Sequence, residues 1–155
     1  LVHAQGGNKV VFTAGLPLHK DPMGELDIQA KHYWVFDSAL SNNGPGAGCE
    51  INFGTNNSGI TLGPKLFYQV DIYMGSIRKK RRAGLYVLSR LSVVRYTNSH
   101  GNDFRITPEG GFALFDEISL MYGFNFPVPF NGKKEIPGVF DNQFTLAITF
   151  GGKKK

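Results

Sequence analysis

The chain has 155 residues, the size of one domain able to enclose its own core, so it is expected to form a single domain over residues 1–155. Its 41% apolar and 19% charged residues are globular proportions, which excludes a disordered or fibrous chain. No run approaches the ~20 apolar residues of a membrane-spanning helix, so no membrane span is expected, and one cysteine, Cys49, excludes an internal disulfide and a Cys-based zinc site.

The net charge of +5 is concentrated. Arg78, Lys79, Lys80, Arg81 and Arg82, with Lys153, Lys154 and Lys155, hold eight of the 17 basic residues, leaving nine against 12 acidic ones. The body is therefore mildly acidic and carries two basic appendages. Five adjacent cations repel one another and suit a solvated loop, where they can meet nucleic acid or another polyanion.

Along the chain, Leu1 to Ala4 fit the tail of a secretory signal cleaved before Gln5. Lys9 to Thr13 reads as a short strand, Pro17 to Gly24 as a loop and His32 to Asp37 as a strand. The Asn-Gly stretch from Ser41 to Gly48 reads as a loop, followed by short strands at Glu50 to Phe53 and Gly59 to Leu62 around a Thr55 to Gly59 turn. Leu66, Tyr68, Val70, Ile72 and Met74 alternate with Phe67, Gln69, Asp71 and Tyr73, the pattern of a strand with one apolar and one mixed face. Leu85 to Tyr96 is a further strand, with Ser89-Arg90 predicting a bulge or a change of sheet, and residues 78–82 fall at the tip of the hairpin between the two strands. Thr97 to Asn102 is a loop, and Asp103 to Thr107 and Gly111 to Phe115 are short strands. Leu114 to Tyr122 has room for one helical turn.

The clearest alternation places Ile118, Leu120, Tyr122, Phe124, Phe126, Val128 and Phe130 at every second position. Pro127 and Pro129 cannot donate to a ladder, so this strand is expected to leave its sheet near Phe126. Asn131 to Gly138 is a loop. Phe144, Leu146, Ile148 and Phe150 form the last strand, which Gly151-Gly152 ends, with the basic tail 153–155 beyond it.

These eight to ten strands predict an all-β, antiparallel, two-sheet β-sandwich, with a jelly roll the favoured topology. Val10 to Leu16, Val35-Phe36-Asp37 and Gly59 to Tyr73 resemble the strand succession of C1q-like jelly-roll domains. That resemblance implies a self-associating jelly roll and no particular functional residue.

Catalytic chemistry is not expected. Cys49 follows Gly46-Ala47-Gly48 without a flanking signature that would pair it with His19, His32 or His100. The stretch from Asn42 to Gly48 lacks the Lys-Ser/Thr pair of a phosphate cradle. Asp21, Glu25 and Asp27, and Asp116-Glu117, miss a calcium-loop spacing, so neither a metal nor a cofactor is expected. Asp71 reads as a cross-strand partner and Trp34 as a core residue, with a sugar-stacking platform as its other role. Asn56-Asn57-Ser58 has the form of a glycosylation acceptor.

The resulting expectation is a non-catalytic structural subunit of a symmetric homo-oligomeric assembly, of the virion or capsid type. Phe124, Phe126, Phe130 and Phe140 would meet neighbouring subunits, and residues 78–82 would contact nucleic acid or an acidic neighbour. The alternative is an extracellular carbohydrate- or protein-binding module, lectin-like or C1q-like. Virion and extracellular space are the corresponding locations.

Overall fold

A computed structural model describes residues 4–16, 24–36, 41–53, 60–76, 84–99, 101–114, 118–129 and 141–150, with side chains described within 43–148. Nine strands follow in order: β1 (Ala4–Leu16), β2 (Gly24–Phe36), β3 (Ser41–Phe53), β4 (Ile60–Ser76), β5 (Gly84–Asn98), β6 (Gly101–Leu114), β7 (Ile118–Phe124), β8 (Phe126–Pro127) and β9 (Asn142–Phe150). All pairings are antiparallel. The all-β class read from the sequence is thus observed.

The described strands form one sheet, not two. From β1 to β7 each strand pairs with the next in the chain, β7 pairs with β9, and β9 returns to β1. The second sheet and the crossovers of a jelly roll are absent among the described residues. Chain neighbours are sheet neighbours from β1 to β7, the two-residue β8 pairs with β6, and β9 pairs with β7 and β1, a meander whose last strand closes the ring.

The register defines the geometry of that ring. A walk across the ladders from Gln5 passes Val35, Asn42, Asp71, Leu88, Gly111, Met121 and Thr145 and returns to β1 at Gly15, ten residues from its start. An eight-stranded barrel with that stagger has strands tilted by about 40°, and its interior is just wide enough for side chains to fill.

Several strands run longer than their sequence signals. Ser41 to Gly48, expected as a loop, belongs to β3, because its glycines supply the space that an inward neighbour needs: a Cβ on Gly46 would stand 2.1 Å from the Phe67 ring. The two short strands around Thr107 merge into β6, and Ile60 to Leu62 join the Leu66 strand as β4. Prolines mark where ladders are interrupted. Pairing of β2 with β3 skips Gly44-Pro45, and pairing of β4 with β5 skips Gly63-Pro64, where the missing N–H removes a donor.

The bulge expected at Ser89-Arg90 is not there, since both residues pair in register on either side. The irregularity lies instead between Tyr73 and Gly75, where Gly75 takes a φ of 146° that side chains rarely adopt. Ile118 to Tyr122 is strand, which leaves no helical turn there. Asn125 separates β7 from β8, which continues the register of β7 along β6, and the Val128 N–H donates to the Phe104 carbonyl at 2.8 Å, so the chain stays on its sheet past Phe126 instead of leaving it there.

Candidate functional site

Alternation places every second residue of a strand on one face, but it does not say which face is inside. Here the apolar face is outside. Leu62, Leu66, Tyr68, Ile72 and Met74 are exposed on β4, Leu66 by 68%. Leu91 and Val93 on β5, Ile106, Phe112 and Leu114 on β6, Ile118, Leu120 and Phe124 on β7, and Leu146 and Ile148 on β9 extend the same surface. The apolar face of these alternating strands is therefore not the buried one. Eight strands leave an interior too narrow for both apolar faces and their partners, and a different set of residues fills it.

That set is polar. Glu50, Asn52, Thr61, Lys65, Asp71, Arg90, Ser92, Asp103, Arg105, Thr107, Glu109, Asn125, Gln143 and Thr145 are buried. Among the described outward side chains from β3 to β7 and on β9, Arg95 alone is charged, three residues from the end of β5 and stacked on Phe104 with its guanidinium carbon 5.7 Å from the ring centre.

Three groups of side chains satisfy many of these buried polar atoms, while the Thr145 hydroxyl finds no hydrogen-bond partner among the described residues. In the first, the Lys65 ammonium donates to Glu50 Oε1 at 2.9 Å and the Tyr96 hydroxyl donates to Glu50 Oε2. Tyr96 reaches from β5 across β4 because Gly63 lies beneath it; a Cβ there would stand 2.8 Å from the ring. In the second, the Arg90 guanidinium donates through Nε and Nη2 to both carboxylate oxygens of Glu109, to which Ser92 also donates at 3.1 Å. Arg90 sits 5.2 Å from the Phe67 ring centre, and Gly123 leaves room for the Glu109 methylenes. In the third, Arg105 donates to Asp103 at 2.9 Å and to Asp141 at 3.1 Å, while Thr107 donates to Asn125.

Glu109 is the group whose ionisation this arrangement visibly moves. Burial pushes its carboxyl up, and the Arg90 charge, the Arg90 hydrogen bond, the Lys65 charge and the Ser92 hydrogen bond more than offset that, holding it below the ordinary glutamate value. It is a carboxylate in the folded protein, and Arg90 is its counter-ion. Below these groups, toward the end at which Gly84 starts β5, Leu88, Ala113 and Met121 pack together with Tyr86 against them, and the buried Asp71 and Thr145 are the ladder partners of Leu88 and Met121.

The sequence-derived candidates fall as follows. Residues 78–82, Lys153 to Lys155, Phe130 and Phe140 lie outside the described residues, as do Asp21, Asp116-Glu117, His19, His100 and the Asn56-Asn57-Ser58 triplet. Ser76 and Gly84, the strand ends that flank the basic run, pair with each other at the end of the ring where β1 starts and β9 stops. Phe124 and Phe126 stand exposed on the outside, their ring centres 6.4 Å apart, beside Tyr122, which meets Phe124 edge-on at 4.9 Å. Asp71 is buried and accepts from Gln69 at 2.7 Å. Trp34 pairs with Gly6 and Asn43 in the ladder. Cys49 is a free, half-buried thiol that donates to the neighbouring Glu50 carbonyl at 3.6 Å. No group of three or more metal-ligating side chains occurs among the described residues.

Sequence reasoning missed Glu50, Lys65, Arg90 and Glu109. Each sits in mid-strand on the face opposite the apolar stripe, a position that a water-facing sheet surface would also give to charges. No family model, curated protein or solved structure matches this chain.

Proposed function

We propose that this chain is a bilayer-spanning β-barrel: its apolar exterior faces lipid, and its charged interior gives the strands a polar core shielded from that lipid. The observation that carries the reading is the inversion of polarity, with ion pairs buried at the centre and aliphatic and aromatic side chains outside. A water-soluble domain gains its main stabilisation from the opposite arrangement. In a membrane a closed strand ring lets backbone groups be satisfied internally, and β1 to β7 with β9 form such a ring.

The dimensions agree. Leu62, Pro64, Leu66, Tyr68, Val70 and Ile72 occupy successive outward positions of β4, and at a tilt of about 40° they cover about 25 Å along the axis, the height of a barrel's lipid-facing band. No helix among the described residues is long and apolar enough to cross a membrane, a criterion that does not address strands. In this reading the protein is an integral membrane component without catalytic chemistry of its own.

A second reading is favoured by one observation: the exposed Phe124 and Phe126 make the aromatic contact surface that a subunit of a shell would use. Fractionation after expression with an outer-membrane export signal separates the two. The membrane reading predicts sedimentation with membranes through an alkaline carbonate wash, and a gel mobility in unboiled detergent that differs from the boiled sample. A detergent-free soluble particle would contradict it and favour the shell.

A further inference from the structure

A lumen open to water leaves the side chains that line it accessible. In this barrel Ser92, Val94, Tyr96, Arg105, Thr107 and Thr145 are each 1% exposed or less, although all are inward-facing. They come from β5, β6 and β9, so the exclusion of water extends over three strands of the wall and is not confined to one.

Two layers of different chemistry contribute to it, beside the separate group of Arg105 with Asp103 and Asp141 and of Thr107 with Asn125. The first is the pair of ion-bonded groups, Glu50 with Lys65 and Tyr96, and Arg90 with Glu109 and Ser92, contributed by β3 to β6. The second is the apolar cluster of Leu88, Ala113 and Met121, contributed by β5, β6 and β7. In the ladder Leu88 follows Arg90 by one inward position on β5, and Gly111, which pairs with Met121, follows Glu109 by one on β6. The layers are therefore stacked directly along the axis.

We propose that they act as two seals in series, so that the barrel separates the compartments on its two faces and conducts no ions. The charged layer occupies the path with groups already neutralised by each other, offering a passing ion no uncompensated partner. The apolar layer excludes water by dewetting and would hold even where a pair in the charged layer broke. This inference rests on the bilayer reading.

The test is current across planar bilayers holding the purified protein, with insertion checked independently by the heat-dependent gel mobility of vesicle-bound protein. The parent, an upper-seal variant (Arg90→Ala with Glu109→Ala) and a lower-seal variant (Leu88→Ala with Met121→Ala) are expected to be silent. The four-site combination is expected to raise current at least tenfold; if it does not insert, Glu109→Gln with Met121→Ala takes its place. Steady current through the inserted parent or through either two-site variant overturns the two seals, as does silence of the inserted combination. A parent that never enters bilayers overturns the membrane reading itself and the seals with it.

Discussion

Replacing Arg90 with methionine isolates the energetics of the interior. The side chains of Arg90 and Glu109 are 3% and 2% exposed, so the carboxylate cannot turn to water once its counter-ion is gone. It keeps the Ser92 hydroxyl at 3.1 Å, while Lys65 is already bonded to Glu50. Leaving one charge of a buried pair uncompensated costs about 3–5 kcal/mol, whereas replacing both partners with apolar groups of similar volume is near neutral. Arg90→Met should therefore lower stability by about 4 kcal/mol, and Arg90→Met with Glu109→Leu should recover most of that loss. Guanidinium-induced unfolding of the reconstituted protein, followed by Trp34 fluorescence, measures both. A single variant that loses under about 1 kcal/mol, or a double variant less stable than the single, would refute the claim that this pair is buried and mutually dependent.

Gly63→Val should displace Tyr96 from Glu50 and cost about 1–3 kcal/mol by overpacking, read by the same unfolding experiment, with Gly46→Ser acting likewise through Phe67. Because the Glu109 carboxyl is held below its ordinary value, its contribution is complete above about pH 4.5 and is lost as pH falls through the lowered folded value. The stability gap between parent and Glu109→Gln should accordingly be constant from pH 7 to 5 and narrow below about pH 4, in titrations of the unfolding midpoint. Leu66→Arg, on the outer face, should cost about 2–4 kcal/mol in bilayers, a penalty that a surface arginine of a water-soluble protein would not incur.

Strand existence was legible from the sequence to a large degree, because the period of two survives in every long segment from Leu66 to Phe150. Strand length was not. Glycine and proline read as breakers in Ser41 to Gly48, yet here inward glycines accommodate Phe67 and Tyr96, and prolines interrupt one ladder while keeping the other. The assignment of inside and outside was the larger miss. Leu66 and Lys65 alternate identically whether the leucine faces a core or a lipid, and only closure of the ring decides which face has room for which residues. The structure supplies the signal that the sequence lacked: strands of 13–17 residues from β1 to β5 exceed the usual length of a soluble sheet and fit tilted transmembrane strands.

The inverted polarity itself can be measured position by position with spin labels. In a Cys49→Ser background, single cysteines replacing Leu66, Leu91, Phe112 and Ile148 on the outside, and Ser92 and Thr107 within, are labelled in vesicles. Collision rates with oxygen, which dissolves in lipid, and with a water-soluble nickel complex are then compared. High oxygen and low nickel rates at all four outer sites, with low rates of both at the two inner sites, are the predicted result. Outer labels that meet nickel freely, or inner labels that meet oxygen as the outer ones do, would contradict a lipid-facing exterior around a sealed charged core.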